Sequence, residues 1–296
     1  MVPIHHAYSE RSRTAGARRH VNAWREWGAV VKAVILCGGQ GTRIRDANDM
    51  LPKPMLPIGG KPILWHIMKG FAAHGVTDFV LCLGYKGWLI KEFFVHYRAM
   101  TTDITVQLGK AGDIEFHGRH GEEMWNVTLA ETGEDSNTGD RIRAIRRYVD
   151  PDMTGNTSDQ FLLTYGDGVS DVNIAALVAF HRAQGKIATV TAVRPPGRFG
   201  ELDIENGTVR EFNEKPQTSD GFVNGGFFVC DSKRIWSRLE GENIMFEREP
   251  LQRLTHENEL AAYEHHGFWQ PMDTLREYKL LNDYWTEKKA PWKTWK

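Results

Sequence analysis

From residue 31 onward, short apolar runs with the character of buried strands alternate with segments of helical period. The runs "VKAVILC" (31–37) and "DFVLCLG" (78–84) predict strands, and the segments that follow them place apolar residues three and four positions apart, as in helices. A chain that alternates strands and helices needs crossover connections, which favour parallel pairing with helices covering the sheet. We therefore expect an α/β fold, with a Rossmann-like, mostly parallel sheet and helices on both faces.

The pattern changes between about residues 103 and 131. Three short runs there, "DITVQLG", "DIEFHG" and "NVTLAE", have the length and alternation of strands. They predict a β-ribbon inserted into the sheet rather than a domain of its own. We expect residues 31–296 to form a single domain that contains this insertion.

The first 30 residues differ from the rest of the chain. The stretch "ERSRTAGARRHVNAWREWG" has five arginines, two glutamates and little periodicity, which is typical of a flexible or loosely docked extension. An arginine-rich, acid-poor start is also typical of an organellar transit peptide, although no compact amphipathic helix is evident. We expect residues 1–30 to lie outside the domain.

Charge and cysteine content restrict the partners and the compartment. Thirty-seven basic and 38 acidic residues leave a formal charge of -1, which gives no overall reason for binding nucleic acid or an anionic membrane. Cys37, Cys82 and Cys230 lie in or at the end of strand-like runs and lack the spacing of a metal site. We expect buried free thiols in a cytoplasmic protein.

A glycine-rich stretch, "LCGGQGTR" (36–43), directly follows the first predicted strand. A dinucleotide fingerprint would need a third glycine where Ile44 stands, and a P-loop would need a closing Gly-Lys-Ser/Thr. Two alternatives stay open: an ordinary tight turn, or a turn whose N–H groups receive a phosphate or a base edge, with Arg43 supplying positive charge.

The segment "LPKPMLPIGGKP" (51–62) follows this loop and contains four prolines. Prolines exclude a regular helix and stiffen the chain, so Lys53 is held on a constrained path between Pro52 and Pro54. Most exposed lysines are solvated surface charges. A constrained lysine close to an anion-binding loop instead predicts a contact with phosphate.

These two stretches resemble the opening of the sugar-phosphate nucleotidyltransferases. The later stretches "WNVTLAETGEDSNTGDRI", "TYGDGVSD", "PPGRFGELDI", "VNGGFFV", "GFWQPMDTLREY" and "APWKTW" narrow the resemblance to the glucose-1-phosphate cytidylyltransferases within that family. It extends from about Val31 to the C-terminus. The resemblance implies transfer of a cytidylyl group from CTP to α-D-glucose 1-phosphate, Mg²⁺ as cofactor, and a homo-oligomer. It also implies a place in the synthesis of deoxy sugars for bacterial lipopolysaccharide.

The resemblance also implies the roles of individual residues. Arg43 and Lys53 would be the catalytic cations, and Asp167 and Asp273 would bind Mg²⁺. The implied nucleotide-binding residues are Leu36, Gly38, Gly39, Gly41, Thr42, Thr132, Thr138 and Gly139. The implied sugar-phosphate residues, in the C-terminal half, are Tyr165, Gly166, Glu214, Lys215, Asn224 and Gly225.

The residues alone support the metal site only in part. Asp167 follows a buried strand, where open α/β sheets place ligand groups, although an Asp-Gly pair is by itself more often a turn. Asp273 is far away in the sequence, so spacing cannot show that the two carboxylates meet.

One departure from the family pattern concerns the choice of base. Leu51 stands where the pattern often has lysine, and Leu-Pro-Lys-Pro is common in thymidylyl- and uridylyltransferases, so these remain an alternative. A non-catalytic sugar-nucleotide-binding regulatory subunit is a further alternative. Such subunits typically lose the catalytic cations or the metal carboxylates, whereas this chain has both.

Overall fold

The computed structural model describes residues 31–39, 50–109, 114–122, 124–155, 158–195, 201–205, 208–213 and 221–296. In chain order, the strands β1 to β16 are Lys32–Leu36, Pro57–Ile58, Lys61–Pro62, Asp78–Leu83, Asp103–Val106, Ile114–His117, Asn126–Glu131, Gln160–Tyr165, Gly168–Ser170, Ala188–Val193, Glu201–Glu205, Thr208–Asn213, Val223–Asn224, Phe228–Asp231, Leu260–His265 and Trp269–Pro271. The helices α1 to α9 are Ile63–Ala73, Gly87–Val95, Tyr97–Thr101, Thr138–Ala144, Arg146–Val149, Pro151–Thr154, Ile174–Gln184, Glu249–His256 and Leu275–Thr286. None of the helices within the described ranges combines the length and the apolar character needed to cross a lipid bilayer.

An eight-stranded sheet organises the molecule, in the order β13-β10-β14-β8-β1-β4-β7 with β15 beside β10. Strand β1 pairs in parallel with both β4 and β8, β4 with β7, and β10 with β15. Strand β14 is antiparallel to both β8 and β10. The sheet is therefore mostly parallel, which confirms the α/β prediction.

Both faces of this sheet are covered. Along β1, Ala33 and Ile35 pack in one apolar cluster with residues of α1, α7 and α9. Their neighbours Val34 and Leu36 pack in a second cluster with residues of α4 and α8. Successive side chains of a strand point to opposite faces, so burial on both sides explains why β1 reads as a continuous apolar run.

The inserted ribbon is shorter than the sequence suggests. Strands β5 and β6 form a separate antiparallel hairpin, in which Asp103 pairs with His117. The third predicted run, β7, instead pairs in parallel with β4 along the edge of the main sheet. Packing explains why β7 joins the main sheet: Val127 and Leu129 lie against the apolar cluster that includes residues of α1. The predicted extension, residues 1–30, lies outside the described residues.

The three cysteines are free and buried, as the sequence predicts. Burial raises the pKa of the Cys82 thiol to about 12, so this side chain stays a neutral thiol at physiological pH.

Candidate active site

A cleft of about 490 Å³ opens at the carboxyl ends of β1 and β8. Parallel strands place their carboxyl ends at one edge of the sheet, which is where open α/β folds bind ligands. The described residues that line the cleft are Leu36, Cys37, Gly38, Gly39, Lys53, Pro54, Glu134, Asp135, Ser136, Asn137, Thr138, Arg141, Tyr165, Gly166, Asp167, Met245 and Asp273. Most of the predicted site residues that the structure describes are among them.

The two glycines at the end of β1 have different surroundings. A Cβ atom on Gly38 would lie 2.2 Å from the guanidinium carbon of Arg141, so a side chain is excluded there by the protein itself. A Cβ atom on Gly39 would meet no atom of the described residues within 4 Å. Gly39 lines the cleft, so its backbone faces the space where a ligand could bind. The predicted residues Gly41, Thr42 and Arg43 lie outside the described part of the chain.

Arg141, on α4, is buried and donates hydrogen bonds to oxygens on three segments. Its Nη1 reaches the Leu83 and Gly133 carbonyls at 2.8 and 2.7 Å and the Thr132 hydroxyl at 2.9 Å. Its Nη2 reaches the Gly38 and Glu134 carbonyls at 3.2 and 3.0 Å. Burial lowers the pKa of this guanidinium, which nevertheless stays charged, as arginine does in proteins.

Arg141 therefore fixes the glycine loop against the loop that precedes α4, and it places a positive charge in the cleft. Arg141 was not among the residues predicted from the sequence. It lies in "DRIRAIRR", where four arginines share one short stretch, and no sequence signal distinguishes the buried arginine from the other three, which are more exposed.

Lys53 lies between the two predicted metal ligands. Its Nζ is 2.7 Å from Oδ2 of Asp167 and 2.6 Å from Oδ1 of Asp273. The lysine side chain is only 11% exposed. Burial by itself would lower the pKa of Lys53, but the charges and hydrogen bonds of Asp167 and Asp273 outweigh it and raise that pKa. The amine is therefore a fixed cation at neutral pH.

A short ladder brings these distant carboxylates together. Strand β9 directly follows Asp167 and pairs antiparallel with β16, with Gly168 opposite Pro271. The Met272 amide also donates to the Asp167 carbonyl at 2.8 Å. The Asp273 amide in turn donates to the Glu277 carboxylate at 2.6 Å, at the start of α9. These hydrogen bonds fix the backbone next to both Asp167 and Asp273.

The carboxylate pair fits a single divalent ion. One ammonium nitrogen contacts an oxygen of each aspartate, so both side chains reach one cation position. In the described ranges, no group of three or more His, Cys, Asp or Glu side chains is placed to hold a metal. Two protein carboxylates, completed by substrate phosphates and water, are a usual arrangement for Mg²⁺.

Glu247 joins two residues of the cleft. It accepts a hydrogen bond from the Tyr165 hydroxyl at 2.7 Å and one from the Thr138 hydroxyl at 2.6 Å. Burial and the Glu247 charge raise the pKa of Tyr165, so this phenol stays protonated. Glu247 could not be predicted, because its segment "IMFEREP" belongs to none of the recognised motifs.

Four other predicted residues do not line the cleft. The Thr132 hydroxyl is buried and donates to the Leu83 carbonyl at 2.6 Å. A Cβ atom on Gly139 would lie 2.5 Å from Ile244, and one on Gly225 would lie 2.6 Å from Val193. Asn224 contacts the Tyr165 hydroxyl at 3.4 Å. Their roles in binding remain predictions. Glu214 and Lys215 lie outside the described residues.

The chain is similar in sequence to known proteins. Residues 32–278 match the family model described as nucleotidyl transferase. The chain is 49% identical to glucose-1-phosphate cytidylyltransferase of Salmonella typhi over 265 aligned residues. The alignment covers 90% of this chain and 100% of the relative. It is 42% identical, with the same coverage of both chains, to the probable glucose-1-phosphate cytidylyltransferase of Bacillus subtilis.

A solved structure shows the same fold. The putative glucose-1-phosphate thymidylyltransferase of Bacillus anthracis superposes with a TM-score of 0.61 at 18% identity, over 90% of this chain and 98% of that one. At this identity the likeness concerns the fold alone. The family match and the two relatives show more: the chain belongs to the nucleotidyl transferase family, whose members are enzymes that generally use a divalent metal ion.

Proposed function

We propose that this chain transfers the cytidylyl group of CTP to α-D-glucose 1-phosphate and so produces CDP-glucose and pyrophosphate. The observation that supports this most directly is the position of Lys53 between Asp167 and Asp273 in the cleft. The names of the two relatives, and their match along their whole length, support the choice of substrates.

The reaction joins two polyanions, so the site must reduce their repulsion and hold the attacking and leaving oxygens in line. Lys53 supplies a fixed positive charge next to the position where the α-phosphate is attacked. Arg141 supplies a second positive charge in the cleft, and Arg43 is predicted to supply a third. Gly39 lines the cleft and has no side chain, which would let the nucleotide approach the backbone at the end of β1.

We propose Mg²⁺ as the metal, held by Asp167 and Asp273 together with the phosphates. When bound, it would polarise the α-phosphate and screen the charge of the leaving pyrophosphate. A general base is not required, because the phosphate monoester that attacks is already ionised at neutral pH. The histidines His66 and His181 accordingly have no part in this chemistry.

The sugar side of the site is proposed to include Tyr165, Gly166 and Asn224, together with Gly225, Glu214 and Lys215. Asn224 holds the local backbone, because its side-chain oxygen accepts from the Gly226 amide at 2.9 Å. For the base, we propose the segment from Thr132 to Gly139. Its acidic residues Glu134 and Asp135 line the cleft and can accept from the amino group of cytosine.

Two further proposals concern the setting of the enzyme. Buried free cysteines suit a reducing compartment, so we propose a cytoplasmic location. We also propose a homo-oligomer, which the exposed apolar side chains of Ile104, Val106 and Ile114 on the β5–β6 hairpin support. Light scattering of the purified chain would measure the assembly.

The decisive experiment is a panel of nucleotides. Glucose 1-phosphate is incubated with CTP, UTP, dTTP or GTP, with and without Mg²⁺, and pyrophosphate release is measured for the wild type and for Asp167→Asn. We expect the fastest turnover with CTP, dependence on Mg²⁺, and near-complete loss in the variant. A strong preference for dTTP or UTP would favour the alternative that Leu51 leaves open, and binding without turnover would indicate a regulatory subunit.

A further inference from the structure

A carboxylate behind the cleft links two of its walls. Oε1 of Glu247 lies 2.7 Å from the Tyr165 hydroxyl, and Oε2 lies 2.6 Å from the Thr138 hydroxyl. Tyr165 and Thr138 both line the cleft. Glu247 itself is half-buried and follows the buried residue Phe246.

The Tyr165 and Thr138 hydroxyls belong to two walls of the cleft that have different proposed roles in binding. Tyr165 ends β8, and Asp167, one of the proposed metal ligands, comes two residues later. Thr138 begins α4, and the same helix presents Arg141, which holds the glycine loop. Glu247 therefore connects the wall that presents the metal carboxylate to the wall proposed to bind the nucleotide.

Both hydroxyls are already engaged. Each donates its single proton to Glu247, and the Thr138 oxygen also accepts from the Phe246 amide at 2.9 Å. While these bonds persist, neither hydroxyl has a proton to donate to a substrate. Hydrogen bonds to an ionised carboxylate are stronger than neutral ones, so the link is well suited to fixing the separation of the two walls.

We propose that Glu247 is a positioning residue for the transfer reaction: by holding Tyr165 and Thr138, it sets the width of the cleft and so the affinity for both substrates at once. This inference rests on the proposed function, because it assumes that a nucleotide and a sugar phosphate bind against these two walls.

The test compares the Michaelis constants of Glu247→Ala with those of the wild type. We expect the KM for the nucleotide and the KM for glucose 1-phosphate each to rise about tenfold, because two charge-assisted hydrogen bonds are lost. We expect kcat to change by less than about threefold, since Glu247 does not reach the reacting atoms. Glu247→Gln keeps one acceptor oxygen and should recover part of the loss. Glu242→Gln, an exposed glutamate of the same region, is the matched control.

A mutant cycle distinguishes positioning from a general loss of stability. Thr138→Val and Tyr165→Phe each remove one end of the link, and each should raise both KM values. In the Glu247→Ala background, adding either change should alter KM by less than about twofold, because the link is already broken. Urea unfolding of every variant reports stability separately.

The assay uses the nucleotide that the wild type turns over fastest, so failure of the cytidylyl assignment and failure of this inference are distinguishable. An inactive wild type contradicts the proposed function and this inference together. An active wild type whose Glu247→Ala variant keeps both KM values, or raises only one of them, contradicts this inference alone. A lower urea midpoint with unchanged KM values would assign Glu247 a purely structural role.

Discussion

The Nζ of Lys53 lies 2.6 Å from Oδ1 of Asp273, although 220 positions separate the two residues in sequence. The lysine comes from the proline-rich segment after β1, and the aspartate lies two residues before α9. The fold therefore assembles a cation and a carboxylate from nearly opposite ends of the chain in one cleft. This contact relates the proposed phosphate site directly to the proposed metal site.

The first prediction concerns the charge on Lys53. Lys53→Met should lower kcat for pyrophosphate release by about 100-fold or more, because a fixed charge that stabilises the transition state is removed. Lys279→Met, an exposed lysine on α9, should leave kcat unchanged. An active Lys53→Met variant would show that the lysine only neutralises the aspartates.

The same substitution predicts a change in metal response. Without Lys53, the carboxylates of Asp167 and Asp273 face each other with no cation between them. In metal-free buffer, the Tm of Lys53→Met should therefore fall by about 2–4 °C. Added Mg²⁺ should raise the Tm of the variant more than that of the wild type, because the ammonium no longer competes for the position. Equal responses in differential scanning calorimetry would contradict a shared position.

The two glycines after β1 give the second prediction. Gly38→Ala should lower both stability and nucleotide affinity, because its Cβ would displace the Arg141 guanidinium. Gly39→Ala should leave the urea midpoint nearly unchanged, since a Cβ there meets no atom within 4 Å in the part of the chain that the structure describes. It should nevertheless raise the KM for CTP if the nucleotide approaches this backbone. Loss of stability in Gly39→Ala, or unaltered KM, would contradict this assignment.

The third prediction concerns stability in mild acid. Burial lowers the pKa of His66 from its ordinary 6.5 to about 4, so the folded protein keeps this ring neutral. Below pH 6.5 the unfolded chain binds a proton that the folded chain does not. The contribution of the neutral His66 ring to the free energy of unfolding is therefore fully present above pH 6.5. It is lost as the pH drops towards 4, by up to about 1.4 kcal/mol per pH unit.

Urea unfolding between pH 7.5 and 5 measures this contribution. Between these limits the wild type should lose roughly 2 kcal/mol more than His66→Gln does. The control is His256→Gln, an exposed histidine on α8, which should follow the wild-type slope. Parallel slopes for wild type and His66→Gln would mean that His66 is protonated in the folded state.

Much of the fold could be predicted from local pattern. The apolar runs of β1 and β4 and the helical period of α1 are visible in the sequence, and their alternation indicates parallel pairing. The assignment of β7 to the main sheet could not be predicted, because its short alternating run resembles those of the β5–β6 hairpin. Only the parallel pairing of β7 with β4, a long-range contact, shows that β7 is a strand of the main sheet and not of the inserted ribbon.

Some residues of the candidate site have a signal in the sequence, and others have none. Lys53 and Asp167 have local signals, a proline-restricted lysine and a turn after a buried strand. The meeting of Asp167 with Asp273 depends on the β9–β16 ladder, which no spacing rule predicts. Arg141 and Glu247 were missed because their importance comes from burial and from partners distant in sequence.

The central claim is that Asp167 and Asp273 act together on one divalent ion beside Lys53. The most direct test is the rate of pyrophosphate release from CTP and glucose 1-phosphate at saturating Mg²⁺, for Asp167→Asn, Asp273→Asn and the double variant. A shared ion predicts that each single change lowers kcat by about 100-fold or more and that the double variant is hardly worse than the slower single one. Full activity in either single variant, or losses that multiply in the double variant, would contradict the claim.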